Sequence, residues 1–276
     1  MIWYNGDMMV AGDMRVSPFD LGLTVGLGVF ETIAAYDGKV FAYDLHHERM
    51  VSAAERLGLD APDAMIIKTA IGELIEANDA HTGRFRVRVT LMGGANPLAG
   101  GDEAAGVMVT ASAAPMVYDQ DQAKLAWVPF VLNERGATAG LKTISYAEHL
   151  LAYRHALRSG ADEGLMLNSR GQLAEGSMSN VFLVKDGVVS TPSLASGCLP
   201  GVTRQLVITL CSELGISVLE RDLVVDDVEQ ADEIFLTNSL REVQAAGLLG
   251  MEYSGIRSFT SRIADAYTAR VREELS

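Results

Sequence analysis

Four short stretches of this 276-residue chain hold side chains whose types and spacing suit chemistry. Lys142 follows Gly140-Leu141 after a strand-like run, and a neutral lysine amine is a nucleophile toward carbonyl carbon. A lone lysine is more often a surface residue, so Lys142 by itself decides nothing. Glu175 lies in Leu173-Ala-Glu175-Gly-Ser-Met-Ser179-Asn180, a polar, glycine-containing break between two strand signals. Its carboxylate either faces a bound group or is simply exposed. Leu199-Pro200-Gly201-Val202-Thr203-Arg204 opens a long helical pattern. Proline stiffens the approach, glycine lets the backbone come close, and the first-turn N–H groups sit at the positive end of the dipole. That arrangement suits a phosphate, with the Thr203 hydroxyl as a further donor, and equally suits an ordinary helix start. In Asp44-Leu-His46-His47-Glu-Arg49, His46 and Arg49 share a helix face, which on spacing alone reads as a solvated polar face. Neighbouring His46 and His47 point about 100° apart and do not converge on one ion, so no metal site is expected. Gly22-Leu-Thr-Val-Gly26-Leu-Gly28 lacks the G-x-G-x-x-G spacing and leads into a strand. It reads as a tight turn feeding that strand.

The elements that must position these groups mix strands and helices without a regular βαβ rhythm. Strand-like runs at 2–4 and 8–10 flank Asn5-Gly6, and runs at 29–36 and 39–42 flank Asp37-Gly38, both turn dipeptides of hairpins. Asp44 reads as the N-cap of a helix to about residue 57, and a second helix spans 63–76. Strands at 85–92 and 106–111 complete the first half. Small and polar residues at 112–122 suggest an interdomain linker. Beyond it, strands are expected at 125–132, 165–168, 181–184, 217–219 and 234–237, and helices at 146–159, 202–214 and 262–275. The pattern predicts two α+β domains, 1–111 and 123–276, rather than a doubly wound sheet.

Composition narrows the class. Hydrophobic residues make up 49% and charged ones 21%, enough apolar content for a substantial core and too much for a disordered chain. The net charge of −14 and a pI of about 4.7 argue against non-specific binding to nucleic acid or an anionic membrane. Any phosphate must therefore be held by local donors. Cys198 and Cys211 form no CxxC pair, and a reduced, cytoplasmic setting is expected. The start of the chain has no signal-peptide pattern, and no apolar run reaches the roughly 20 residues of a membrane span.

Taken in order, four blocks resemble the class IV aminotransferases, the family of branched-chain aminotransferases, D-amino acid transaminases and 4-amino-4-deoxychorismate lyases. The blocks are Asp44-Leu-His46-x-x-Arg49, Gly140-Leu-Lys142, Glu175-Gly-Ser-Met-Ser179-Asn180-Val-Phe182 and Leu199-Pro-Gly201-Val202-Thr203-Arg204. The resemblance runs from Trp3-Tyr4-Asn5-Gly6 to Thr237-Asn238-Ser239. It implies a fold-type IV enzyme of two α+β domains, with pyridoxal 5′-phosphate (PLP) in the cleft between them and a homodimer closing the site. By resemblance, Lys142 carries the cofactor and moves the substrate proton, which requires an amine that is neutral at working pH. Glu175 pairs with the pyridine nitrogen, keeping the ring an electron sink. Arg49 holds the phosphate with the Val202 and Thr203 amides and the Thr203 and Thr237 hydroxyls, while Ser179 and Asn180 complete the cofactor set. Tyr146, four residues after the lysine, is expected to partner the ring hydroxyl, although the branched-chain enzymes place their tyrosine five after it.

Two activities share this beginning. A lyase would release pyruvate and 4-aminobenzoate from aminodeoxychorismate, whereas a transaminase would pass the amino group to a 2-keto acid. Asn238 and the stretch ending at Phe30 resemble lyases, and Gly94-Ala-Asn-Pro-Leu lacks the arginine and histidine of D-amino acid transaminases. Arg86 and Arg88 alternate on one strand face, where either contacts a substrate carboxylate or the two form a solvent-facing pair. Glu31 and His149 depart from residues common in the family, His149 replacing an asparagine. The lyase is favoured, with a class IV aminotransferase as the alternative. A non-catalytic PLP-binding homologue is the alternative of another class, disfavoured by the complete Lys142, Glu175 and Arg49 set.

Overall fold

The computed structural model describes residues 1–95, 106–113, 122–251 and 257–276. The chain divides into two compact units. One comprises Met1–Met116 with Leu141–Ser145 and Leu275, and the other Val117–Gly140 with Tyr146–Glu274 and Ser276. The lysine-bearing stretch thus groups with the first unit, although it follows the expected linker in sequence. Residues 114–121, most of that linker, lie outside the described residues, as do Asn96, Pro97 and Leu98 of the Gly94 turn.

The first unit is built on an antiparallel sheet of six strands, β1 (Ile2–Tyr4), β2 (Asp7–Met9), β3 (Gly28–Tyr36), β4 (Lys39–Val40), β5 (Arg84–Met92) and β6 (Val107–Ala113), in the order β2-β1-β6-β5-β3-β4. Both expected hairpins form. Asn5 and Gly6, and Asp37 and Gly38, take positive φ at both turn positions, as the mirror-image turns that fit strand twist require. Alternation along β3 and β5 sends Val29, Ile33, Ala35, Val87, Val89 and Leu91 into a core shared with α2 (Tyr43–Arg56) and α3 (Ala64–Ala77). The Asp63 side chain caps α3 by accepting from Met65 N–H at 2.8 Å. The start of α2 differs from expectation. Ala42, in the left-handed region at φ 53°, is its N-cap, and Asp44 sits inside the first turn, where its charge still favours the dipole. The glycine-rich stretch also holds more than a turn. A single-turn helix, α1 (Leu21–Val25), is capped by Asp20 and ended by left-handed Gly26 before β3 begins.

The second unit is a mixed sheet of eight strands: β7 (Ala123–Leu132), β8 (Glu163–Asn168), β9 (Leu173–Gly176), β10 (Asn180–Lys185), β11 (Val188–Pro192), β12 (Val218–Arg221), β13 (Glu233–Asn238) and β14 (Glu242–Leu248). Their order is β12-β11-β10-β13-β14-β7-β8-β9, with parallel pairs at β11/β12, β14/β7 and β7/β8. The helices are α4 (Ala147–Arg158), α5 (Val202–Glu213), α6 (Val225–Glu229) and α7 (Ser258–Leu275). Leu125, Leu165, Val181, Leu183, Ile234 and Leu236 form the central core of this sheet. Three strands, β9, β11 and β14, and α6 are absent from the sequence reading, because each is short or rich in small and polar residues. Among the described residues, no helix is long and apolar enough to cross a membrane.

Candidate active site

Lys142 is positioned by strand pairing. Residues 142–144 run antiparallel to the start of β3, with Phe30 N–H donating to Lys142 O at 2.9 Å and Ile144 N–H to Gly28 O at 3.0 Å. Gly28 permits this approach. At φ +156°, a Cβ there would strike Leu91 O and lie 2.8 Å from Ile144 Cδ1. Opposite residues of an antiparallel pair point to the same side, so Lys142 faces Phe30, and its Nζ lies 4.5 Å from the ring centroid. Arg88, on the same face of β5, places its guanidinium 3.8 Å from that ring, and its Nε donates to Thr90 Oγ1 at 3.2 Å. Arg86, two residues along the same face, is exposed.

Arg49 lies against the helix-facing side of β3. Its Nε and Nη2 donate to Glu31 Oε1 and Oε2 at 2.8 and 2.6 Å, a two-pronged pair with a fully buried carboxylate. His46, one helical turn earlier, donates from Nδ1 to Glu31 Oε2 at 2.7 Å. Burial pushes the Glu31 carboxyl up, but the Arg49 charge and the hydrogen bonds from His46 and Arg49 outweigh it and hold it at about 2. Burial pushes the His46 imidazole down, ahead of the opposing pull of Glu31. The shared helix face read as solvated is therefore buried at His46, and the departure noted at Glu31 is what orients both residues.

In the second unit, Glu175 is buried on β9. Its Oε1 accepts from His149 Nε2 at 3.2 Å, and its Oε2 accepts from Leu199 N–H at 2.9 Å and Asn180 Nδ2 at 3.5 Å. Asn180 also donates to Leu199 O at 2.9 Å, tying β10 to the approach of α5. Tyr146, the N-cap residue of α4, stacks on His149 with ring centroids 4.6 Å apart and sets its hydroxyl 3.4 Å from Ser177 O. Gly201 is the N-cap of α5, and no side chain caps that helix. Here a Cβ would collide with Asn180 Oδ1, so only glycine lets the helix start approach β10. Val202 and Thr203 are buried in the first turn. Thr237 pairs with Asn180 across β13 and β10.

Two buried hydroxyls in this region lack hydrogen-bond partners among the described residues. Ser179 Oγ and Thr237 Oγ1 are buried and make no hydrogen bond. Buried hydroxyls without partners are costly unless a bound group supplies them. With the uncapped N-terminus of a twelve-residue helix, they form a donor set that fits a phosphate. Glu175 fits a cationic ring nitrogen, because a buried carboxylate calls for a positive partner. These residues fit PLP.

The loops carrying this donor set are braced from beneath. Asn238 Nδ2 donates to Met178 O at 3.0 Å, and its Oδ1 accepts from Leu240 and Arg241 N–H, so its amide serves the chain itself. Arg241 donates to fully buried Glu163 at 2.8 Å, and the same carboxylate accepts from Ser177 Oγ and from Met178 N–H at 2.9 Å. Burial pushes the Glu163 carboxyl up, more than Arg241 and these hydrogen bonds pull it down. No group of three or more His, Cys, Asp or Glu among the described residues is placed to hold a metal ion.

Known proteins resemble this chain in sequence and in fold. The family profile described as amino-transferase class IV matches residues 28–247. The chain belongs to the class IV aminotransferase family. It is 34% identical over 254 residues to a putative branched-chain-amino-acid aminotransferase of Methanocaldococcus jannaschii, covering 88% of this chain and 85% of that one. It is 32% identical over 253 residues to an aminodeoxychorismate lyase of Bacillus subtilis, covering 88% and 84%. Among solved structures, a branched-chain aminotransferase of the archaeon Thermoproteus uzoniensis with norvaline superimposes with a TM-score of 0.91 at 28% identity, covering 99% of this chain and 95% of that one. The fold is that of the fold-type IV aminotransferases, and the cofactor of the class IV enzymes is PLP.

Proposed function

We propose that this class IV enzyme acts on a carboxylate-bearing amino substrate, and that its reaction is the release of pyruvate and 4-aminobenzoate from aminodeoxychorismate. The observation that carries the substrate reading is the face shared by Phe30, Arg88 and Lys142. A guanidinium at 3.8 Å and an amine at 4.5 Å from one aromatic ring suit a flat, anionic substrate, with exposed Arg86 further along the face. A branched aliphatic side chain would gain nothing from those charges and would require their desolvation.

When bound, PLP supplies an electron sink for the carbon beside the substrate nitrogen. Lys142 Nζ would hold the cofactor, and its neutral amine would take the proton from that carbon. Glu175 would keep a proton on the pyridine nitrogen, and Tyr146 would partner the ring hydroxyl. Ser179, Thr237, Asn180 and the Val202–Thr203 turn would hold the phosphate end, Arg49 is assigned to it by resemblance, and Arg88 would take a substrate carboxylate. A cytoplasmic homodimer belongs to the same reading, and the dimer is tested by light scattering of the holoenzyme.

The second reading, transamination from an amino acid to a 2-keto acid, is favoured by the M. jannaschii relative's name. One experiment separates them. Purified holoenzyme is given aminodeoxychorismate without a keto acid, and separately branched-chain amino acids with 2-oxoglutarate. Pyruvate in the first mixture supports the lyase; glutamate in the second with no pyruvate in the first overturns it.

A further inference from the structure

His149 is the residue at which this chain departs from the asparagine common after the lysine motif, and it touches two groups assigned to the cofactor. Its Nε2 lies 3.2 Å from Glu175 Oε1, and its ring stacks on Tyr146 at 4.6 Å with the planes 9° apart. Glu175 Oε2 is fixed separately by Leu199 N–H at 2.9 Å. The imidazole is therefore the side-chain donor to the one carboxylate oxygen that the backbone does not hold. Glutamine, whose amide nitrogen reaches as far as Nε2, could donate to that oxygen but could not stack on a phenol, whereas phenylalanine could stack but not donate.

We infer that His149 is a positioning residue that sets the Glu175 carboxylate toward the pyridine nitrogen of PLP, with the Tyr146 ring holding the imidazole at the angle this requires. The inference rests on the assignment of Glu175 to the ring nitrogen. A carboxylate anchored at both oxygens is fixed in rotation, so it meets the ring without reordering. Released at Oε1, it keeps its Oε2 anchors but loses the second restraint on its rotation. The cofactor's absorption then changes, because its electronic state follows the partner of its nitrogen.

The test compares wild type with His149→Phe, His149→Gln and His149→Ala, each stripped of cofactor and titrated with PLP. The readouts are the PLP dissociation constant, the absorption maximum of the bound cofactor and the melting temperature of the cofactor-free protein. His149→Phe and His149→Ala should weaken PLP binding on the order of tenfold, the scale of one hydrogen bond to a charged group, and displace the absorption maximum. His149→Gln should restore affinity to within about threefold and recover the maximum, since it returns the donor. If His149→Phe matches wild type in affinity and maximum, or if the variants lower only the cofactor-free melting temperature, the inference is wrong and His149 is a packing residue. If wild type itself takes up no PLP, the failure lies with the cofactor reading of the site.

Discussion

Arg49 and Glu31 form a buried, two-pronged ion pair between α2 and β3, with nitrogen–oxygen distances of 2.8 and 2.6 Å. The carboxyl is held at about 2, below its ordinary 4.5. An acid whose folded value is lowered stabilises the fold above its unfolded value, and that stability is lost as pH falls toward the folded one. At about 1.4 kcal/mol per unit, the pair contributes on the order of 3 kcal/mol, lost between roughly pH 4.5 and 2. His46, pushed down by burial, adds to the same trend below its ordinary 6.5, because the unfolded chain takes the proton first. Urea melts from pH 7 to 3 should show this slope. Glu31→Gln should cost about 3–5 kcal/mol at neutral pH and flatten the acid limb; a variant with the wild-type profile would refute the assignment.

Thr237 supplies a test in which two measurements move in opposite directions. Its buried hydroxyl has no partner among the described residues, so Thr237→Val should leave the cofactor-free protein at least as stable, by up to about 1 kcal/mol. The same change should weaken PLP binding about tenfold. Calorimetry and PLP titration read the two effects separately, and unchanged affinity would remove Thr237 from the phosphate set.

Gly201→Ala should act through Asn180. A Cβ at 201 meets Asn180 Oδ1, and Asn180 also hydrogen-bonds Leu199 O and Glu175. We expect a loss of about 1–3 kcal/mol in stability and more than tenfold weaker PLP binding, both measured by titration. A fully stable variant with wild-type affinity would show that α5 tolerates displacement from β10.

The Arg241–Glu163 brace predicts a coupled pair. Arg241→Met strands a buried carboxylate and should cost about 3–5 kcal/mol at neutral pH. The cost should shrink as pH falls, because a carboxyl with a raised folded value is relieved by taking a proton. Adding Glu163→Gln to Arg241→Met should recover most of the loss in a double-mutant cycle, whereas strictly additive losses would exclude the coupling.

What the sequence shows of this site follows a physical divide. Hairpins at Asn5-Gly6 and Asp37-Gly38 and the helices around Arg49 and Val202 were legible, because turn chemistry and apolar period are local. Lys142, Glu175 and Arg49 became legible only as an ordered set of motifs. Glu31 and Glu163 were not, since a buried carboxylate inside a strand looks like a polar interruption until its partner from another element is in view. Arg241 lies 78 residues from Glu163, and no spacing rule links them. Asn238, read as a mark of substrate preference, turns its amide to Met178 O and the N–H groups of Leu240 and Arg241.

The most direct measurement is to locate the covalent attachment of the cofactor. Holoenzyme reduced with borohydride, digested and analysed by mass spectrometry should carry the phosphopyridoxyl mass on the peptide containing Lys142, and Lys142→Ala should carry none. Label on another lysine, or full turnover by Lys142→Ala, would contradict the assignment of Lys142 as the residue that carries PLP.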